Sequence, residues 1–128
     1  MKAIKKLNQK RIRRVARTRA AISGTAVRPR LTVRRTNRYF SAQLVDDVKG
    51  NTILSASSFT INAPAGGAKA AKVAKENKTA NAFSVGELIG QKAVEKGIKS
   101  AVFDRRSYKF HGRVKSFVDG AKKGGLTI

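Results

Sequence analysis

The sequence predicts an α+β fold, with mixed α/β character, whose elements follow one another in the order βββαβα. Apolar and polar residues alternate in three neighbouring segments between residues 30 and 57, which is typical of half-buried strands. Apolar residues then recur every three to four positions in residues 79–96 and 112–123, which is typical of helices. The predicted sheet is four-stranded and mixed, with the helices on one face and a basic N-terminal extension.

The chain divides into two parts. Its length of 128 residues corresponds to one domain. We expect this domain to span residues 23–128 and to carry a low-complexity loop insert at about residues 60–80. The N-terminal tail, residues 1–22, is set apart by its charge, since nine Lys and Arg and no acidic residue occur in its first 20 positions.

The tail combines two opposing tendencies. Ala, Lys, Arg and Leu favour a helix, whereas the density of like charge opposes a helix in isolation. We therefore expect the tail to be disordered in the free protein and helical when it binds a polyanion. A solvated tail that only aids solubility is the alternative. A membrane-surface helix fits poorly because residues 1–22 contain one Leu and no aromatic residue.

The first three strands are predicted at residues 30–35, 39–45 and 52–57 and form an antiparallel meander. A tight turn at residues 36–38 joins the first two, and a second turn occupies residues 46–51. Polar and basic residues alternate with the apolar ones, so one face of the sheet is left for a partner. The inward positions of the first two strands are Leu31, Val33, Phe40, Ala42 and Leu44.

The second half of the domain begins with the insert, for which we expect a loop with a short helical turn around residues 68–75 and no chemistry. A helix at residues 79–96 follows, then a short strand at residues 100–103 and a last helix at residues 112–123. Gly86 and Gly90 lie four positions apart in the first of these helices. Their spacing suits close packing of that helix on the sheet.

The charge of the chain indicates a polyanionic partner. Lys and Arg number 29 against 7 Asp and Glu, which gives a net charge of +22, and residues 1–38 hold 14 basic residues and no acid. Such an imbalance opposes a compact state unless a polyanion compensates it. Nucleic acid is the first candidate and anionic lipid the second.

The composition argues against several classes of function. There is no Cys and one His, so thiolate sites, multi-histidine metal sites and cysteine nucleophiles are excluded. The acids are scattered, and no phosphate-binding Gly-rich loop or nucleophile motif is present. We therefore expect no enzyme activity, cofactor, metal site, small-molecule substrate or membrane partner.

The densest basic and aromatic segment is residues 104–113, between the last strand and the last helix. Basic loops at a helix N-terminus bind anions, and flat side chains such as Tyr108 and His111 can stack on unpaired bases. Structural roles are the alternatives: a half-buried Tyr108, a helix-capping His111, a core Phe110 and an Asp104 paired with Arg.

The candidate sites come from the tail, from the basic hairpin that follows the first strand and from the 104–113 segment. These three elements could share one surface. The candidate nucleic-acid-binding residues are Arg11, Arg13, Arg14, Arg17, Arg30, Arg35, Asn37, Arg38, Tyr39, Arg105, Arg106, Tyr108, Lys109, His111 and Arg113.

Several of these segments closely resemble the bacterial family of large-subunit ribosomal protein eighteen. The resemblance covers most of the chain, in the right order. The segments that carry it are Ile22–Thr25, Arg28–Val33, Arg35–Arg38, Ala42–Asp47, Phe103–Arg105 and Tyr108–Val114.

The resemblance implies a structural ribosomal protein that binds 5S ribosomal RNA. It also implies that the protein helps to attach 5S RNA to 23S RNA in the central protuberance, near large-subunit protein five, in the cytoplasm. The tail would then thread between RNA segments. The motif match places Arg30, Arg35, Asn37, Arg38, Tyr108, His111 and Arg113 against RNA.

One departure from the family concerns Arg106 and Ser107, which stand where many relatives have two glycines. We expect this loop to bend differently and Arg106 to add a phosphate contact. From charge alone, a nonspecific nucleic-acid-coating protein is the alternative function.

Overall fold

The computed structural model describes residues 2–61 and 78–128. The predicted strands and helices of the domain are present there, and their bounds differ from the predicted ones by at most two residues. A short helix follows the third strand, and the predicted helical turn at residues 68–75 lies outside the described residues. The elements are α1 Lys2–Ala20, β1 Arg30–Arg35, β2 Phe40–Asp46, β3 Asn51–Ser57, α2 Ser58–Ile61, α3 Lys78–Glu95, β4 Val102–Asp104 and α4 Arg113–Lys123.

The sheet is four-stranded and mixed, with the order β3-β2-β1-β4. β1 pairs antiparallel with β2, where Leu31 lies opposite Leu44, and parallel with β4, where Leu31 lies opposite Phe103. β2 pairs antiparallel with β3. The predicted meander is therefore confirmed, and β4 adds to it beside β1.

The core lies between one face of the sheet and the helices α3 and α4. Leu31 and Phe40 on the sheet and Ile89 and Phe117 on the helices are almost completely buried. The rings of Phe40 and Phe117 are 5.3 Å apart. Alternation along β1 and β2 thus places every second side chain in the core, and the helices cover that face as predicted.

Glycines bring α3 and α4 into close contact. A Cβ atom on Gly86 would overlap the Phe117 carbonyl oxygen, and one on Gly90 would lie 2.7 Å from the Ala121 carbonyl oxygen. A Cβ on Gly120 would in turn overlap the Phe83 carbonyl oxygen. The prediction that Gly86 and Gly90 pack on the sheet is therefore wrong, because they pack against the backbone of α4.

Replacing Gly86 with Ala is expected to destabilise the domain. Helix propensity alone would favour Ala by about 1 kcal/mol. Overpacking typically costs about 1–3 kcal/mol, and here the contact is with backbone that shifts only if the helices separate. Since the contact is with rigid backbone, we expect the cost to lie at the upper end of this range, which leaves a net loss of up to about 2 kcal/mol in urea denaturation. The exposed Gln91→Ala on the same helix is the control, and equal stability of the two variants would contradict this packing account.

Helix α1 is attached to the domain differently. None of its residues is buried, and its last turn lies near the loop that follows β4. The expectation that it loses helical structure in the free protein stays a prediction. No helix within residues 2–61 and 78–128 is long and apolar enough to cross a membrane.

Candidate nucleic-acid interface

A groove of about 1340 Å³ separates α1 from the domain. One wall is α1. The other is formed by the end of β1, the β1–β2 turn and the loop that precedes α4. The tail, the hairpin and the 104–113 segment thus meet at one surface, as the sequence suggested.

The groove is strongly cationic. Eight Lys and Arg side chains line it, and no acidic residue is among its lining residues. Leu7, Ile12 and Val15 of α1 add apolar surface, and Tyr108 and His111 add planar groups. The basic lining residues are Arg11, Arg14, Arg19, Arg34, Arg35, Arg106, Lys109 and Arg113.

Nine of the fifteen predicted residues line the groove. They are Arg11, Arg14, Arg35, Asn37, Arg106, Tyr108, Lys109, His111 and Arg113. Two groove cations, Arg19 and Arg34, are not among the fifteen. Arg19 could have been found, since Arg11, Val15 and Arg19 are each four positions apart and so share one face of a helix.

The other six predicted residues lie outside the groove lining. Arg13 and Arg17 are exposed on α1, and Arg38 is exposed in the turn. The ring of Tyr39 packs edge-on against that of Phe59, 5.4 Å away. Arg105 donates a hydrogen bond to the carbonyl oxygen of Tyr108 within the loop, at 3.2 Å. The remaining residue is Arg30.

Arg30 is engaged by two carboxylates. Its Nε and Nη2 donate to Asp47 at 2.9 and 3.0 Å, and its Nη1 donates to Asp104 Oδ2 at 2.8 Å. The side chain is only 13% exposed. The hydrogen bonds that Arg30 donates to Asp47, and then the one to Asp104, raise the pKa of Arg30 above its usual value. Arg30 therefore links Asp47 to Asp104 and lies outside the groove lining, and its contact with RNA stays a prediction.

Asp104 is the buried acid of this network, with 0% exposure of its side chain. It accepts hydrogen bonds from Arg19 Nε at 3.1 Å and from the Arg106 backbone N–H at 2.9 Å, besides the one from Arg30. Burial pushes its pKa up, but these hydrogen bonds outweigh burial and hold the pKa below its usual value. The structural role expected for Asp104 is confirmed.

Hydrogen bonds connect the end of β1 and the turn that follows it to the basic loop and the start of α4. The Tyr108 hydroxyl accepts a hydrogen bond from the Arg35 backbone N–H at 3.1 Å, and the Arg35 guanidinium lies 4.9 Å from the centre of the Tyr108 ring. Arg113 Nη1 donates to the Thr36 carbonyl oxygen at 3.0 Å. Burial, and then the positive charge of Arg35, lowers the pKa of Arg113. Tyr108 is thus half-buried, as the structural alternative held, and Arg35 covers part of its ring.

Phe110 and His111 of the loop are more exposed to solvent than a core residue or a helix cap would be. Phe110 is 49% exposed and meets only the edge of the core at Phe103, 6.1 Å between ring centres, so its expected place in the core is wrong. The N-cap of α4 is Gly112, and no side-chain hydrogen bond caps this helix. His111 is therefore not a cap, and its side chain is exposed at the groove.

Arg106 adopts a backbone conformation that is typical of glycine. Its φ is 55°, in the left-handed region that glycine adopts without strain. Its backbone N–H bonds to Asp104 and its side chain lines the groove. The extra cation is gained at the cost of local backbone strain.

Taken together, these features define a basic α+β domain with a large cationic groove and few acids, a class of protein suited to polyanions. Among the described residues, no three His, Asp or Glu side chains are grouped so as to hold a metal ion.

Comparison with known proteins identifies the family. The family model "Ribosomal L18 of archaea, bacteria, mitochondria and chloroplast" matches residues 5–128. The large ribosomal subunit protein uL18 of Thermotoga neapolitana is 46% identical over 119 residues, which is 93% of either chain. The uL18 proteins of Bacillus cytotoxicus (46% over 122 residues) and Lactiplantibacillus plantarum (45% over 119) each align with 93% of this chain and 92% of their own. The chain belongs to the ribosomal L18 family.

Family membership bears on two of the predictions. Proteins of this family are structural components of the large ribosomal subunit, so the expectation that the chain is not an enzyme is confirmed. Its expected place in the large ribosomal subunit is confirmed by the same comparisons.

Proposed function

We propose that the chain binds 5S ribosomal RNA in the cationic groove. In this role it helps to attach 5S RNA to 23S RNA in the central protuberance, beside large-subunit protein five. The observation that carries the proposal is the groove itself, with eight basic side chains and no acid among its lining residues. The resemblance noted in the sequence supplies the identity of the RNAs and of the neighbouring protein.

The mechanism is binding through phosphate neutralisation. Each phosphate paired with Lys or Arg releases condensed counterions, so the affinity falls steeply as salt rises. If the eight groove cations each meet one phosphate, the slope of log K against log salt is about −6 to −7.

The groove suits RNA with unpaired bases better than a regular duplex. The major groove of A-form RNA is too narrow for side chains to read, whereas splayed bases stack on planar or apolar surfaces. His111 offers a planar group on one wall, and Leu7 and Ile12 offer apolar surface on the other. Phosphates would meet the cations between these surfaces.

Competition binding tests the proposal. Labelled 5S RNA is bound to the protein at about 0.2 M salt and challenged with excess tRNA or duplex DNA. Retention against both competitors supports shape-specific recognition of 5S RNA. Equal displacement by either competitor would show that charge alone acts, and would favour the nonspecific nucleic-acid-coating alternative.

Arg113→Ala is expected to weaken 5S RNA binding at every salt concentration. Arg113 is half-buried at the groove and fixed by its bond to Thr36, so a phosphate there meets a cation that is already in place. We expect a loss of about tenfold, which corresponds to about 1.4 kcal/mol. The control is Lys115→Ala, which removes an exposed cation of the same helix outside the groove lining. Equal losses for both variants would exclude a special role for the groove position.

Arg106→Gly is expected to raise the stability of the domain and to weaken its binding of 5S RNA. Glycine relieves a left-handed conformation that costs an L residue about 1 kcal/mol, and it keeps the backbone N–H that bonds to Asp104. The variant should therefore unfold at higher urea while it binds 5S RNA more weakly, because one groove cation is lost. A less stable variant, or one with unchanged affinity, would contradict this prediction.

A further inference from the structure

Helix α1 is attached to the domain near its C-terminal end. Arg19 Nε donates to Asp104 Oδ2 at 3.1 Å. The Thr18 hydroxyl lies 2.9 Å from the Arg14 carbonyl oxygen within the helix and 3.3 Å from the Arg106 carbonyl oxygen across the groove. Because the hydroxyl has one proton and its nearer acceptor is in the helix, the Arg19–Asp104 ion pair is the stronger of the two connections.

The acceptor of this ion pair is fixed in position. Asp104 ends β4, is fully buried, and is also held by Arg30 Nη1 and the Arg106 backbone N–H. Arg19 is 43% exposed, so its pair with Asp104 is partly shielded from water. Such an ion pair contributes more stability than a fully exposed one, whose contribution is typically close to zero.

Electrostatic repulsion makes an anionic attachment point necessary. Arg11 and Arg14 on α1 face a wall that carries Arg34, Arg35 and Arg106, so like charges oppose one another across the groove. Without RNA, this repulsion favours separation of α1 from the domain and must be opposed by an attractive contact. Asp104 is the buried acid that pairs with the last turn of α1, and this pair counteracts that repulsion.

We infer that Arg19 is a positioning residue for RNA binding, whose ion pair with Asp104 sets the direction of α1 and so keeps the groove formed before RNA arrives. The inference rests on the proposed function. The N-terminal turns of α1 remain free to fray, while its last turn keeps Arg11 and Arg14 close to the opposite wall. When the pair is lost, only a fraction of the molecules presents a complete groove, and the apparent affinity falls by that fraction.

The test compares Arg19→Gln with Arg17→Gln in the full chain. Both variants remove one cation from the last turns of α1, but Arg17 is exposed and outside the groove lining. Arg17→Gln is expected to lower the salt slope by less than about one and to keep the preference for 5S RNA over tRNA. Arg19→Gln is expected to lower 5S affinity about tenfold further and to reduce that preference, while its salt slope falls by no more than about one, the share of a single cation.

For a second variant, Asp104→Asn, the effect of charge on RNA binding and the effect of the lost ion pair are expected to have opposite signs. Asp104→Asn removes a negative charge and no cation, so charge alone predicts tighter RNA binding. Loss of the positioning ion pair predicts weaker binding, measured at a temperature where circular dichroism shows the domain folded. Hydrogen exchange of the free proteins gives a readout without RNA: amides in the last turn of α1 should exchange faster in Arg19→Gln than in Arg17→Gln.

The results that would overturn the positioning role of Arg19 differ from those that would overturn the proposed binding of 5S RNA. Equal RNA affinity, equal preference and equal exchange for Arg19→Gln and Arg17→Gln would overturn the positioning role, whatever RNA is used. Tighter binding by folded Asp104→Asn would overturn it as well. If the wild-type protein does not prefer 5S RNA to tRNA, the proposed function fails, and the exchange and the affinity for tRNA still decide the role of Arg19.

Discussion

Removal of residues 1–20 is expected to lower the affinity for 5S RNA at least about fiftyfold at about 0.2 M salt. Three of the eight groove cations, Arg11, Arg14 and Arg19, are lost with α1. With about 0.8 units of slope per phosphate contact, the salt slope should fall by about 2–2.5. Titrations of 5S RNA at several salt concentrations measure both quantities.

The truncated domain should stay folded because α1 contains no buried residue. Its circular dichroism and melting temperature are the controls. Removal of residues 1–10 alone is the matched variant, since it takes away four Lys but keeps Arg11, Arg14 and Arg19. We expect this shorter deletion to have a much smaller effect on affinity. If the longer deletion unfolds the domain, α1 is part of the core and the account of the tail is wrong.

Asp104→Ala is expected to lower the free energy of unfolding by about 3–5 kcal/mol. The substitution leaves the Arg106 N–H and one side of Arg30 without their buried acceptor. Since typical domains are stable by about 5–15 kcal/mol, this is a large part of the total. Urea denaturation measures the loss, and the exposed Asp119→Ala should change stability by less than about 0.5 kcal/mol. Equal effects of the two substitutions would contradict the network.

The same network predicts how stability depends on pH. The pKa of Asp104 and that of Asp47 are lowered in the folded protein, the latter by Arg30 and by the Gly24 N–H. A lowered carboxyl pKa adds stability above the unfolded pKa of about 3.9, and that stability is lost as pH falls below it. Wild-type stability should therefore fall more steeply than that of Asp104→Ala between about pH 5 and pH 2. Parallel profiles would show that Asp104 is not linked to folding in this way.

Local patterns predicted most of the fold. Alternation in β1 and β2 identified the buried side chains of both strands, because a strand with one buried face repeats every two residues. The sequence predicted that the glycines of α3 allow close packing, but it did not predict that they pack against α4. Spacing shows that Gly86 and Gly90 share a face of the helix, whereas the backbone that meets this face is set by how α3 and α4 pack.

The sequence predicted those parts of the candidate site in which basic residues cluster along the chain. Each of its three elements is basic in sequence, so a common surface followed from the fold. The role of Arg30 did not follow, because its partners Asp47 and Asp104 are 17 and 74 positions away. Residue type marks Arg30 as a candidate for RNA, and only the tertiary structure shows that its guanidinium is already bound to carboxylates.

Photochemical cross-linking of the full chain to 5S RNA shows directly whether the RNA binds in the cationic groove. Ultraviolet light joins bases to side chains in contact, and mass spectrometry locates the linked peptides. We expect cross-links at the groove, in the segment that contains Tyr108 and His111 and in α1. Cross-links confined to surfaces away from the groove, such as Lys122 and Lys123 at the end of α4, would contradict it.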